Sequence, residues 1–157
     1  MVEYIKGDLL DRRYKWNVII HGCNCFHTMG SGIAAAIAKK YPEAVKADKK
    51  LTRWANREKL GTISVAAIEL GDNPFFVVNA YTQFSTSKQG EDVFEYDHFR
   101  SCLKEIKETF PESGGYKLAI PHIGAGKANG DWKKIKGIIE EEFKERDITV
   151  VEYKKAN

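Results

Sequence analysis

The sequence predicts a layered α/β fold. Short apolar runs of strand type alternate with longer stretches of helical spacing along its 157 residues. About six strand runs occur, with helices between most of them. Twice, an apolar run opens into a glycine-rich loop that leads straight into a helix, a junction typical of open α/β sheets.

Taken in order, Val2–Lys6 alternates apolar and polar residues and breaks at Gly7-Asp8. Asn17–Cys23, "NVIIHGC", is a short apolar run of the buried-strand kind. Alanine and isoleucine from Gly32 to Tyr41 favour a helix, which Pro42 ends. "EAVKADKKLTRWANRE" reads as a second helix. Thr62–Leu70 and Phe75–Tyr81 are strands joined by the turn Gly71-Asp72-Asn73-Pro74. Apolar spacing at Phe94, Phe99, Leu103, Ile106 and Phe110 marks an amphipathic helix ending before Pro111. "KLAIP" is a strand, "GDWKKIKGIIEEEFKER" a helix, and Ile148–Tyr153 the last strand. With no repeat, linker or low-complexity segment, residues 1–157 are expected to form a single domain.

Composition narrows the class. Hydrophobic residues at 43% and charged residues at 30% describe a globular chain rather than a disordered one. The 25 basic and 22 acidic residues nearly cancel, and the clusters Lys133, Lys134, Lys136 and Lys154-Lys155 are short enough to be solvated faces. Near-neutral charge and no interleaving of aromatic with basic residues along the chain argue against a generic nucleic-acid binder. With no apolar run of membrane-spanning length, no charged-then-apolar leader and three cysteines, the chain is expected to be a cytoplasmic, disulfide-free protein without membrane association.

The two glycine-rich junctions are "IIHGCNCFHTMGSGIAAAIA" and "AIPHIGAGKANGDWKKI". Glycine lets backbone approach a ligand, and a helix N-terminus presents unpaired N–H groups at the positive end of its dipole. Two such loops on one sheet are expected to grip a diphosphate from both sides. Neither is GxxxxGK[ST], so a Walker-type NTPase is not expected. His21, Cys23, Cys25 and His27 alternate and would share one face of a straight strand, but their spacing lacks the paired CxxC form of structural zinc sites. Neither a metal nor a cofactor is expected, and the cysteines read as small buried hydrophobes.

The motifs "YIKGDLL", "IIHGCNCFHTMGSGIA", "NAYTQ" and "IPHIGAGKANGDWKKI", in this order and spacing, resemble a macro domain over nearly the whole chain. The branch resembled is that of the yeast-type ADP-ribose 1''-phosphate phosphatases and their bacterial and phage relatives. That resemblance implies a three-layer α/β/α fold, a six-stranded mixed sheet flanked by helices, and ADP-ribose as ligand. It implies Asp8 as acceptor for the adenine amino group, with Gly7 and Leu9 lining that pocket. Gly22, Cys23 and above all Asn24 would lie beside the distal ribose. Met29, Gly30, Ser31, Gly32, Ile33 and Ala34 would form the first diphosphate loop, and Ile123, Gly124, Ala125, Gly126, Lys127, Ala128 and Asn129 the second. Val151 occupies the place of an adenine-stacking aromatic, for which Tyr153 is the substitute.

For chemistry, the resemblance leaves open a phosphatase acting on ADP-ribose 1''-phosphate, a hydrolase acting on ADP-ribosylated protein or nucleic acid, and a non-catalytic reader. One hydrolase branch uses a lysine and an aspartate where this chain has Gln83 and Ala128, and another an aspartate where it has Ala34. The expectation is therefore a metal-independent phosphatase, monomeric, with Asp131 accepting a proton from water and His21 orienting that water or donating to the leaving group. His27, Lys127 and Lys88 are further candidates near the distal ribose.

Overall fold

The computed structural model describes residues 1–87, 89–126 and 128–155. Six strands form one mixed sheet: β1 (Val2–Gly7), β2 (Val18–Cys23), β3 (Ile63–Glu69), β4 (Phe75–Tyr81), β5 (Leu118–Pro121) and β6 (Ile148–Tyr153), in the order β1-β6-β5-β2-β4-β3. All pairings are parallel except β3 with β4, the pair joined by a tight turn. The helices are α1 (Gly32–Lys40), α2 (Pro42–Leu51), α3 (Tyr96–Thr109) and α4 (Trp132–Glu142).

The central strands are apolar on both faces because helices cover both. Val18 and Ile20 of β2, Val78 and Ala80 of β4, and Leu118 and Ile120 of β5 point into one core with Phe99, Leu103 and Ile106 of α3 and Ile135 and Ile139 of α4. Their neighbours Ile19, Val77 and Ala119 point the other way, packing with Ile37 of α1 and Ala44 of α2. The period-two alternation thus splits the sheet side chains between two cores, giving the three-layer α/β/α arrangement. Fully burying each such Ile or Val stabilises the fold by roughly 1.5–3 kcal/mol relative to leaving it exposed.

Two helices are shorter than their sequence patterns suggest. The helix expected through "LTRWANRE" stops at Leu51, where Thr52 turns to extended backbone and its hydroxyl bonds back to the Asp48 carbonyl. The chain then doubles back, and only Arg57–Lys59 recovers one 3₁₀ turn. The last helix ends at Glu142, because Phe143 leaves helical geometry as its ring buries in the core. Phe94 precedes α3 rather than belonging to it; its strand-like backbone bridges Gln83.

Candidate functional site

Five strands run parallel, so their carboxyl ends meet along one edge of the sheet. A cleft of about 880 Å³ opens there. It is lined by Asp8, Leu9 and Leu10 after β1, Gly22, Cys23 and Asn24 at the end of β2, and Gln83 just after β4. Pro121, His122, Ile123 and Gly124 follow β5, and Val151 and Tyr153 close the β6 side.

The first loop enters α1 through Ser31, whose backbone is extended (φ −151°, ψ 161°) and whose side chain does not cap the helix. Ala35 N–H is the first to turn back, to the Ser31 carbonyl at 3.2 Å. The amides of Gly32, Ile33 and Ala34 precede it at the cleft wall, in the first turn of a helix with no acidic residue there to satisfy its dipole. Such an end suits an anion. Asn24 lines the cleft, but its amide is spent on the loop: Nδ2 donates to Thr28 Oγ1 at 2.7 Å and Oδ1 accepts from Phe26 N–H at 2.8 Å.

The second loop is held by its own backbone. Gly130 N–H donates to the Gly124 carbonyl at 2.7 Å, Asn129 N–H to Gly126 at 2.9 Å, and Val93 N–H to Ala128 at 2.9 Å. Gly124 sits at φ 76°, and a Cβ there would lie 2.6 Å from the Phe94 ring and 2.8 Å from Ile135 Cδ1. Only glycine fits this turn.

Most residues expected at the site come together. Asp8, Leu9, Gly22, Cys23, Asn24, Gly30, Ser31, Gly32, Ile33, Ala34, Ile123, Gly124, Gly126 and Ala128 all line the cleft. Met29, Ala125 and Asn129 belong to the loops without lining it. Gly7 lies in a small neighbouring cleft with Tyr14, whose hydroxyl is 2.6 Å from where a Cβ would stand. Asp8 uses one carboxylate oxygen to accept from Leu10 N–H at 2.9 Å, fixing the turn after β1. Lys127 and Lys88 lie outside the described residues.

The two residues expected to be catalytic are placed elsewhere. Asp131 is the N-cap of α4: its carboxylate accepts from Lys133 N–H at 3.0 Å, and it does not line the cleft. His21 is fully buried under the sheet edge, on the α1/α2 side. Its Nε2 lies 2.6 Å from Asn79 Oδ1 and therefore carries the proton. Burial holds the imidazole neutral, with its pKa pushed down to about 4. Asn79 in turn donates to the Ala44 carbonyl and to Ser64, and Ser64 bonds Tyr81, which donates to Asp48. His21 is thus one end of a buried polar network rather than a group at the cleft.

The alternating cysteines and histidines do not converge. Cys23 is 3.6 Å from His21 Nε2, Cys25 faces the Gln83 carbonyl at 3.6 Å, and His27 bonds Thr52. Among the described residues no three His, Cys, Asp or Glu side chains gather to hold a metal ion. Burial raises the thiol pKa of all three cysteines, with Cys102 at about 12, so none is poised as a thiolate.

Several lining residues escaped the sequence reading. Thr28 sits in the first loop, inside a span read for its histidines, cysteines, glycines and Asn24. His122, stacked on Trp132 at 4.1 Å, lies one residue before a loop that was recognised from its glycines. Thr86 and Ser87 reach the cleft from a segment without periodicity, and only the strand-order context brings them there.

A cleft at the carboxyl edge of a mixed α/β sheet, flanked by two glycine loops, defines the class of α/β protein. The family model for the Macro domain matches residues 20–139, and the chain belongs to that family. It is 38% identical over 155 residues to an uncharacterized 17.5 kDa protein of Enterobacteria phage T4, covering 98% of this chain and 97% of that one. It is 26% identical to the ADP-ribose 1''-phosphate phosphatase of Saccharomyces cerevisiae, over 95% of this chain and 97% of the yeast protein. Among solved structures, a protein of unknown function from Bacteroides thetaiotaomicron superposes with a TM-score of 0.80 at 28% identity, covering 97% of this chain and 98% of that one. Among the described residues no helix is long and apolar enough to cross a membrane.

Proposed function

We propose that the cleft binds ADP-ribose and that the protein removes the terminal phosphate of ADP-ribose 1''-phosphate by direct attack of water. The observation that carries this reading is the pair of loops in one cleft, one ending at an uncompensated helix N-terminus and the other closed on glycine. A diphosphate between them meets backbone N–H donors from the first loop and backbone without side chains at Gly124 and Gly126. Asp8, Leu9 and Val151 then face the adenine, and Asn24 and Thr28 the distal ribose.

Gln83 and Ala128 line the cleft where one hydrolase branch carries its lysine and aspartate, so that mechanism has no counterpart here. Phosphomonoester hydrolysis asks chiefly for an oriented water and stabilised charge, which a donor-rich loop supplies without a dedicated nucleophile. In this reading Asp131 supports α4 and His21 supports the sheet edge, and neither touches the substrate. The yeast relative's named activity supports the substrate class.

Calorimetry with ADP-ribose tests the first half: binding is expected, and weaker in Asp8→Ala, whereas no binding would overturn the reading. Phosphate release from ADP-ribose 1''-phosphate in the presence of a chelator tests the second. Binding without release would make the protein a reader, and release abolished by the chelator would return the metal reading.

A further inference from the structure

At the distal-ribose end of the cleft, one buried amide has only half of its hydrogen bonding satisfied. Gln83 lines the cleft although it is only 8% exposed. Its Nε2 donates to the Ser85 carbonyl at 3.0 Å. That carbonyl can only accept, so it fixes the rotation of the amide and leaves Oε1 as the free end. Among the described residues no donor bonds Oε1. The sealed side-chain atoms without a partner there are the Tyr41 hydroxyl, Lys59 Nζ and Thr82 Oγ1, so Oε1 is open to solvent, and the space that Gln83 borders is the cleft.

The backbone around this amide is clamped on both sides. Gln83 pairs antiparallel with Phe94, and Glu95 N–H donates to the Thr82 carbonyl at 2.7 Å. From the first loop, Cys25 N–H donates to the Phe84 carbonyl at 2.9 Å, and the Cys25 thiol faces the Gln83 carbonyl at 3.6 Å. These contacts carry the β2–β4 pairing beyond Cys23 and Tyr81, and so set Gln83 beside the Asn24 turn. A side chain held this way keeps its direction before any substrate arrives.

The other polar side chains of this end are committed or unfixed. Asn24 spends its amide on Thr28 and on Phe26 N–H, and Ser87 donates to Glu91 at 3.4 Å. Thr86 is exposed, and its hydroxyl is free to turn. Among the described residues Asp8 is the one carboxylate lining the cleft, and it lies at the opposite, adenine end. Gln83 Oε1 is therefore the acceptor with a fixed direction beside the distal ribose.

On the phosphatase reading, which puts the distal ribose at Asn24 and Thr28, we propose that Gln83 Oε1 orients the water that attacks the terminal phosphate. Oε1 accepts one hydrogen of that water and turns its lone pair to phosphorus, in line with the bond to the 1'' oxygen. The new phosphorus–oxygen bond forms as the bond to the 1'' oxygen breaks. Of the two water protons, one stays on the new phosphate. The other passes by way of a phosphoryl oxygen to the 1'' oxygen, giving ADP-ribose and hydrogen phosphate. A neutral amide takes no proton itself, and it does not repel a dianionic phosphate as a carboxylate would.

Steady-state phosphate release from ADP-ribose 1''-phosphate, per folded molecule, tests this in Gln83→Met and Gln83→Glu. Gln83→Met keeps the length of the side chain and loses the acceptor. Its kcat should fall about 100-fold, the cost of a misplaced reactant, while KM and ADP-ribose affinity by calorimetry stay at wild type. Gln83→Glu gives a readout that a packing role would not move. Its protonated carboxyl repeats the glutamine pattern, with the hydroxyl on Ser85 and the carbonyl oxygen towards water. Its carboxylate sets an oxygen against the Ser85 carbonyl and a charge against the phosphate. The ratio of its kcat to that of wild type should therefore rise as pH is lowered from about 8 to about 5. A ratio that rises with pH instead would make the position a base, and an unchanged kcat in Gln83→Met would leave it a packing residue; either result overturns the role while the phosphatase reading stands. Wild-type protein that binds ADP-ribose and releases no phosphate overturns the phosphatase reading, and the Gln83 role with it.

Discussion

Gly124 shows how much of a site a single residue can decide. Its φ of 76° and the 2.6 Å approach of the Phe94 ring leave no room for a methyl group, and the Phe94 side chain is itself held between Tyr96 and Phe99. Gly124→Ala adds a strained backbone and an overpacked contact at once. It is expected to cost at least about 2 kcal/mol of stability, since each effect alone is worth about 1–3 kcal/mol. Urea unfolding measures the cost, and an unchanged midpoint would mean that the second loop can relax. The loop's tie to Gly130 N–H passes through the same residue, so ADP-ribose affinity should fall with stability.

At the scale of elements, α4 illustrates where a sequence signal and a structural role part company. "NGDWKKI" was legible as a helix start with an aspartate beside a glycine loop, and that placement fits both a cap and a proton acceptor. The bond from Lys133 N–H to the Asp131 carboxylate and the residue's absence from the cleft favour the cap. Asp131→Ala is expected to lower stability by about 1 kcal/mol, and Asp131→Asn to recover most of it. Turnover per folded molecule should stay near wild type in both. A loss of turnover in Asp131→Asn at full stability would restore the catalytic role.

The central strands were readable because burial on both faces writes them as unbroken apolar runs, the edge strand β1 because its residues alternate, and the glycine loops because their residues are consecutive. The 3₁₀ turn at Arg57 and the doubling back at Thr52 were not readable, since a solvated helix and a solvated loop share the same charged composition.

For the whole molecule, the buried polar network beneath the cleft links folding to pH. His21 contacts Asn79 and Cys23, and the charge nearest the network's far end is the Asp48–Lys59 pair. The Cys23 and Tyr81 pKa values are both raised by burial, so neither group ionises near neutrality. His21 is therefore the member that titrates in mild acid. Its pKa is about 4 when folded, against an ordinary value of 6.5, so the unfolded chain binds the proton more readily. Stability from this group is fully present above pH 6.5 and is lost as pH falls towards 4. The full difference is about 3 kcal/mol, of which about 2 kcal/mol disappears between pH 7 and 5, before most carboxylates protonate. Urea midpoints should fall accordingly in the wild type and much less in His21→Gln, which starts from a lower stability at pH 7. Imidazole nitrogen shifts should show His21 holding one proton, on Nε2, down to pH 5. A wild-type His21 that titrates near 6.5 would mean that the sheet edge opens to water, returning this imidazole to the reach of a bound substrate.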